Sequence, residues 1–109
     1  MLAQRLEHAA TEIELDRREL ARALDANPRT VARWLNNESV PRPDARERML
    51  EAVAIFERLS ATLRPAAAHD WLFTPNMSLE YHKPVDLLRE GEFRRVLGAI
   101  DALAEGVFV

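Results

Sequence analysis

Arg29, Arg33 and Asn36 are spaced so that three hydrogen-bonding side chains project from one side of a helix. Positions 29 and 33 lie one turn apart, and position 36 continues the row at about 100° per residue. Guanidinium groups grip guanine edges or phosphate oxygens through two bonds at once, and a carboxamide does the same for adenine. That is the chemistry of reading a duplex rather than of making or breaking bonds. Arg29 and Thr30 stand nearest the start of this helix, where a recognition helix presents side chains to bases. Arg17 and Arg18 open the helix before it, where they can hold backbone phosphates. The plain alternative is that these arginines only solvate a helix face, since nine acids among residues 1–48 cancel nine arginines.

No other grouping suggests chemistry. His8, His69 and His82 are far apart in sequence and match no metal-ligand spacing. The pairs His69-Asp70 and His82-Lys83 read as surface or interface polar groups. Carboxylates are abundant but fall on solvated helix faces, so no acid–base pair is indicated. Three glycines cannot form a phosphate-cradling loop, and without cysteine there is no thiol nucleophile or disulfide framework. No catalytic residue, metal or cofactor is therefore expected, and the chain reads as a binding protein rather than an enzyme.

The elements that position the arginines are legible. Leu2, Leu6, Ala9 and Ile13 form the stripe of a first amphipathic helix. Asp16 caps a second, with Glu19 at the reciprocal capping-box position and Leu15 and Leu20 as a hydrophobic staple. It ends near Asp25-Ala26. Asn27 caps a third helix that begins with Pro28, whose missing N–H costs nothing there. Val31 and Leu35 should face the core, with Trp34 on the flank. Two helices joined by about three residues make a helix-turn-helix. Asn36 to Pro43 is the hinge, which places a helix-turn-helix domain at 1–43 and the remainder at 44–109.

The second part begins with a long helix from about Asp44 to Leu63. Met49, Val53, Phe56, Ser60 and Leu63, flanked by Ala52 and Leu59, give it a broad stripe interrupted only by Ser60. This helix is expected to be the spine of the molecule. Short helices follow at Ala66–Phe73, around Leu79 and after Pro84, where Gly91 closes the last of them. A final helix from about Glu92 to Glu105 carries Phe93, Val96, Leu97, Ile100, Leu103 and Ala104 on its apolar face and stops at Gly106. The apolar ending Val107-Phe108-Val109 is unusual, because terminal residues are normally polar and frayed. It either folds onto the protein's own core or fills a pocket on a partner. Trp71 reads as mainly structural, whereas Tyr81, His82 and Lys83, on an irregular turn, are better interface candidates.

Length and charge agree with this division. The 109 residues suit one compact domain or two very small ones sharing a core. The net charge of −3 lies wholly in residues 49–109, behind a neutral, arginine-rich front. No apolar run approaches the roughly 20 residues that span a bilayer, and the N-terminus lacks a secretory apolar stretch. A cytoplasmic, all-α protein is the expectation.

The run Trp71-Leu72-Phe73-Thr74-Pro75-Asn76, with Leu79, Pro84, Asp86-Leu87-Leu88, Gly91, Val96-Leu97 and Ile100, resembles the toxin-binding C-terminal domain of Xre-type antitoxins from RES–Xre toxin–antitoxin modules. The likeness is strongest to the mycobacterial cidal branch, including the ending from Ile100 to Val109. It extends through Val31-Ala32-Arg33-Trp34 and the hinge to nearly the whole chain. The wider family places a glycine pair before the proline matching Pro84, where this chain has Glu80-Tyr81-His82-Lys83. The resemblance implies a small helical toxin-binding domain behind a helix-turn-helix, and a RES-domain toxin partner that destroys NAD. It implies that the C-terminal region, with Tyr81, His82, Lys83, Gly106, Val107, Phe108 and Val109, covers the NAD cleft. Operator DNA is a further implied partner, and a second copy of the chain, in a homodimer, is expected because helix-turn-helix proteins commonly read two half-sites. The competing expectation is a stand-alone helix-turn-helix regulator whose back half only dimerises.

Overall fold

The computed structural model describes residues 1–106 and contains seven α-helices and one 3₁₀ turn among them. They are α1 (Leu2–Glu12), α2 (Arg17–Ala23), α3 (Pro28–Leu35), α4 (Pro43–Thr62), α5 (Pro65–Phe73), the 3₁₀ turn (Met77–Leu79), α6 (Pro84–Arg89) and α7 (Phe93–Ala104). Four of the six prolines sit in the first turn of a helix, at Pro28, Pro43, Pro65 and Pro84. The ring presets the helical φ where no N–H partner is needed, so these residues fix where helices begin. The fold is all-α, with a helix-turn-helix at the front and a second helical unit behind it.

α4 is the spine. α1 and α7 both pack against it, α2 packs on α3 and α6, and α5 bridges α4 and α6. Phe56, Leu59, Met49 and Ile55 of α4 are inaccessible to solvent or nearly so, and one continuous apolar cluster runs from Leu6 to Ile100. No polar or charged side chain is fully buried among the described residues. Exposed ion pairs rim the two seams. Arg5 donates Nε–H and Nη2–H to the Glu57 carboxylate at 2.9 and 2.8 Å, and Arg58 meets Asp101 at 2.9 Å. Such exposed pairs set register more than stability.

Two details differ from the periodicity. Ile55 is buried although it lies off the expected stripe, and Ser60, within that stripe, is exposed. The cause is that α4 is covered on more than one side, so its apolar face is wider and turned relative to a one-sided helix. On α3, Val31 and Trp34 are buried and Leu35 only half-buried. The hinge folds α4 back so that Asp44 and Ala45 lie beside the indole, together with Leu24 and Ala26. Trp34 is thus core and not flank. On α7, Val96 and Ile100 are buried, while Phe93, Leu97 and Leu103 are half-buried and Ala104 is exposed.

Gly91 ends α6 at φ +85°, a left-handed conformation that costs glycine nothing. A Cβ there would also lie 3.3 Å from the Arg48 guanidinium, which crosses to the Arg89 carbonyl.

Candidate functional site

Two faces carry the candidate residues. The first is built by α2 and α3. Asp16 Oδ1 accepts the Glu19 N–H at 2.8 Å while Glu19 Oε1 accepts the Asp16 N–H at 2.9 Å, closing the capping box. Asp25 takes a left-handed φ of 53° in the turn, a conformation Asp tolerates better than most residues. Asn27 Oδ1 accepts the Arg29 N–H at 2.8 Å and starts α3.

On this scaffold Arg29 and Arg33 are exposed one turn apart, Thr30 is half-buried beside them, and the exposed Asn36 forms the C-cap of α3. Arg17 and Arg18 are exposed in the first turn of α2. Arg17 meets Glu7 at 3.7 Å, whereas Arg18, Arg29 and Arg33 form no ion pair among the described residues. Three guanidinium groups are therefore free to bind an external anion.

The second face is the turn from Asn76 to Lys83. The Asn76 N–H donates to the His82 carbonyl at 3.1 Å, and the Tyr81 N–H donates to the Asn76 carbonyl at 2.8 Å. Asn76 Oδ1 also accepts the Ser78 N–H and hydroxyl at 2.9 and 2.6 Å. His82 Nδ1–H donates to the Leu79 carbonyl at 2.9 Å, and Leu79 is buried as the anchor of the loop.

Glu80 and Tyr81 both have positive φ, 56° and 65°. For a bulky residue this backbone state is strained and persists only where the surroundings over-determine it. The result is an internally hydrogen-bonded turn that leaves Tyr81 68 % exposed and Met77 59 % exposed. His82 is exposed, and Lys83 is half-buried as the N-cap of α6. Met77 escaped sequence reasoning, although its place on an irregular, capped turn was a usable signal.

Beside this turn, Ser78, Leu79, Arg95, Gly98, Ala99 and Ala102 line a groove of about 240 Å³. Arg95 flanks it through contacts to Glu80 at 3.1 Å and Glu92 at 3.7 Å. Gly106, exposed at φ +76°, closes α7 by donating its N–H to the Leu103 carbonyl at 3.1 Å. Val107, Phe108 and Val109 lie outside the described residues.

Between the two faces runs a polar seam. His69 of α5 meets Glu19 of α2 at 2.7 Å, Arg22 meets Asp86 at 2.7 Å, and Arg89 meets Asp25 at 3.1 Å. Arg22 also lies 5.7 Å from the centre of the Phe73 ring, within cation–π range. Among the described residues no cluster of three or more His, Cys, Asp or Glu is placed to hold a metal ion, and no helix is long and apolar enough to cross a membrane.

Comparison with known proteins extends this geometry. Residues 51–106 match the family described as antitoxin Xre/MbcA/ParS C-terminal toxin-binding domain. The mycobacterial cidal antitoxins MbcA of Mycobacterium bovis and Mycobacterium tuberculosis are each 41 % identical over 109 residues, covering all of this chain and 96 % of theirs. A chain in the crystal structure of the M. tuberculosis MbcT–MbcA toxin–antitoxin complex superposes with a TM-score of 0.89 at 41 % identity. That match covers all of this chain and 98 % of the other.

Proposed function

We infer that this chain, which belongs to the Xre/MbcA/ParS antitoxin family and is an antitoxin rather than an enzyme, silences a RES-domain toxin by laying its C-terminal region over the toxin's NAD cleft. The observation that carries the reading is the likeness along the whole chain to a protein crystallised in a toxin–antitoxin complex. The turn at Asn76–Lys83 supports it, because a strained, internally bonded loop that displays Tyr81 and Met77 has the character of an interface anchor. Tyr81, His82, Lys83 and Gly106 would line the contact, and Val107, Phe108 and Val109 would enter the cleft. The two apolar side chains of Val107 and Phe108 would add burial at about 25 cal/mol per Å².

On this reading the protein works in the cytoplasm beside its target, and α2 and α3 let it regulate its own operon as a homodimer. Arg29, Thr30, Arg33 and Asn36 would face the major groove of the duplex, with Arg17 and Arg18 on its phosphates. The unpaired state of Arg18, Arg29 and Arg33 supports this. Affinity for the DNA upstream of its own reading frame should then fall steeply with salt.

The experiment for the cleft mechanism removes residues 107–109. The truncated protein should still bind the toxin yet allow NAD loss to resume. Full inhibition by the truncated protein would rule the mechanism out.

A further inference from the structure

The seam between α2 and α5 contains an arrangement that duplex reading and toxin binding do not require. His69 Nε2 lies 2.7 Å from Glu19 Oε2, and its Nδ1 lies 3.4 Å from Asp70 Oδ1. Carboxylate oxygens only accept hydrogen bonds, and a neutral imidazole has a single N–H. Only the imidazolium gives both contacts a proton, the Glu19 contact being the stronger by its length. The side chains of His69 and Glu19 are 28 % and 25 % exposed, so water screens the pair only in part. Phe73 packs against the imidazole at 5.0 Å between ring centres.

Glu19 has a second task. Its other oxygen, Oε1, closes the capping box of α2. One carboxylate therefore joins the first turn of α2 to α5. The charged groups around His69 are Glu19 and Arg22 from α2, Asp70 from its own helix, and Asp86 of α6, which is paired with Arg22.

We propose that Glu19 and His69 form a pH-sensitive latch, with His69 as the positioning residue that holds the first helix of the helix-turn-helix against α5. The latch is closed while His69 carries two protons and loosens when it gives one up. The hydrogen bond to Glu19, above all, raises the proton affinity of His69, the Asp70 contact adds to this, and burial opposes both. A folded-state affinity above the ordinary histidine value means that the latch's stabilisation is complete below about pH 6.5 and is lost as pH rises through the raised value. Only its consequence for DNA rests on the function proposed above. Loosening α2 would free the first turn that bears Arg17 and Arg18.

The test needs the protein alone, which separates it from the antitoxin reading. The imidazole Cε1–H resonance of His69 is followed by NMR against pH, with hydrogen exchange of the first α2 amides measured on the same samples. Glu19→Gln keeps the capping box, because Gln serves at that position, but removes the charge. The latch predicts that its His69 midpoint falls by about half a pH unit or more relative to wild type. In wild type, protection of the α2 amides should drop roughly threefold to tenfold across the His69 midpoint. His69→Gln retains a neutral donor to Glu19, keeps the fold and should make α2 protection independent of pH. Equal midpoints in wild type and Glu19→Gln would overturn the proposal, as would α2 protection in wild type that ignores the midpoint.

Discussion

Gly98 and Gly91 make opposite predictions for one chemical change, because their backbones differ. Gly98 lies inside α7, exposed, and a Cβ built there meets nothing within 4 Å. Replacing it with alanine removes the helix penalty of glycine, about 0.8–1 kcal/mol, without creating a clash. For a chain of this length the unfolding entropy near the midpoint is on the order of 230 cal/mol/K, so Gly98→Ala should raise Tm by about 4 °C. Gly91 sits at φ +85°, and its Cβ would press on Arg48 at 3.3 Å. Gly91→Ala should therefore destabilise by about 1–2 kcal/mol. Urea unfolding followed by helical circular dichroism reads both, with unchanged m-values showing that only stability has moved. The decisive quantity is the gap of about 2–3 kcal/mol between the two variants. If both move stability the same way, the backbone assignments at these positions are wrong.

Three further outcomes follow from single positions. Ile55→Ala empties a site with no solvent access and should cost about 2–5 kcal/mol in the same urea assay, as much as a stripe residue such as Val53 or more. Asp16→Ala opens the capping box and should lose about 1 kcal/mol, with faster hydrogen exchange concentrated in the first turn of α2. Tyr81→Ala should leave Tm nearly unchanged, since the ring is largely exposed, but weaken toxin binding at least tenfold by calorimetry, the scale of a hot-spot residue.

Local signals carried much of the fold. Asp16 and Glu19, Asn27 and Pro28, and Pro84 mark helix starts through bonding rules that act within four residues, and the structure places helices there, while Pro43 and Pro65, read from the sequence as part of the hinge and as a helix stop, also open helices. Periodicity was less complete. It identifies one apolar face, so it missed Ile55 on a helix covered from two sides, and it placed Trp34 on a flank that α4 turns into core.

Contacts between distant elements were not legible at all. Nothing in the spacing of Glu19 and His69, or of Arg22 and Asp86, announces that they meet, because polar partners across a seam share no period. The departure of Glu80-Tyr81-His82-Lys83 from the glycine pair of the family pattern acquires a physical meaning at Glu80 and Tyr81. Both residues occupy left-handed φ, the conformation glycine adopts freely, and this chain holds it instead by the hydrogen bonds of Asn76. The site chemistry followed the same division. Exposed arginines on α3 could be located from helical spacing, whereas Met77 was passed over although the Asn76 cap beside it marked an irregular turn.

Whether the chain silences its proposed target is read from NAD consumption by a RES-domain toxin, with and without the chain in equimolar amount. On the proposed function NAD loss stops and the two proteins elute together on sizing. Undiminished NAD loss, with the two proteins eluting apart, would contradict it.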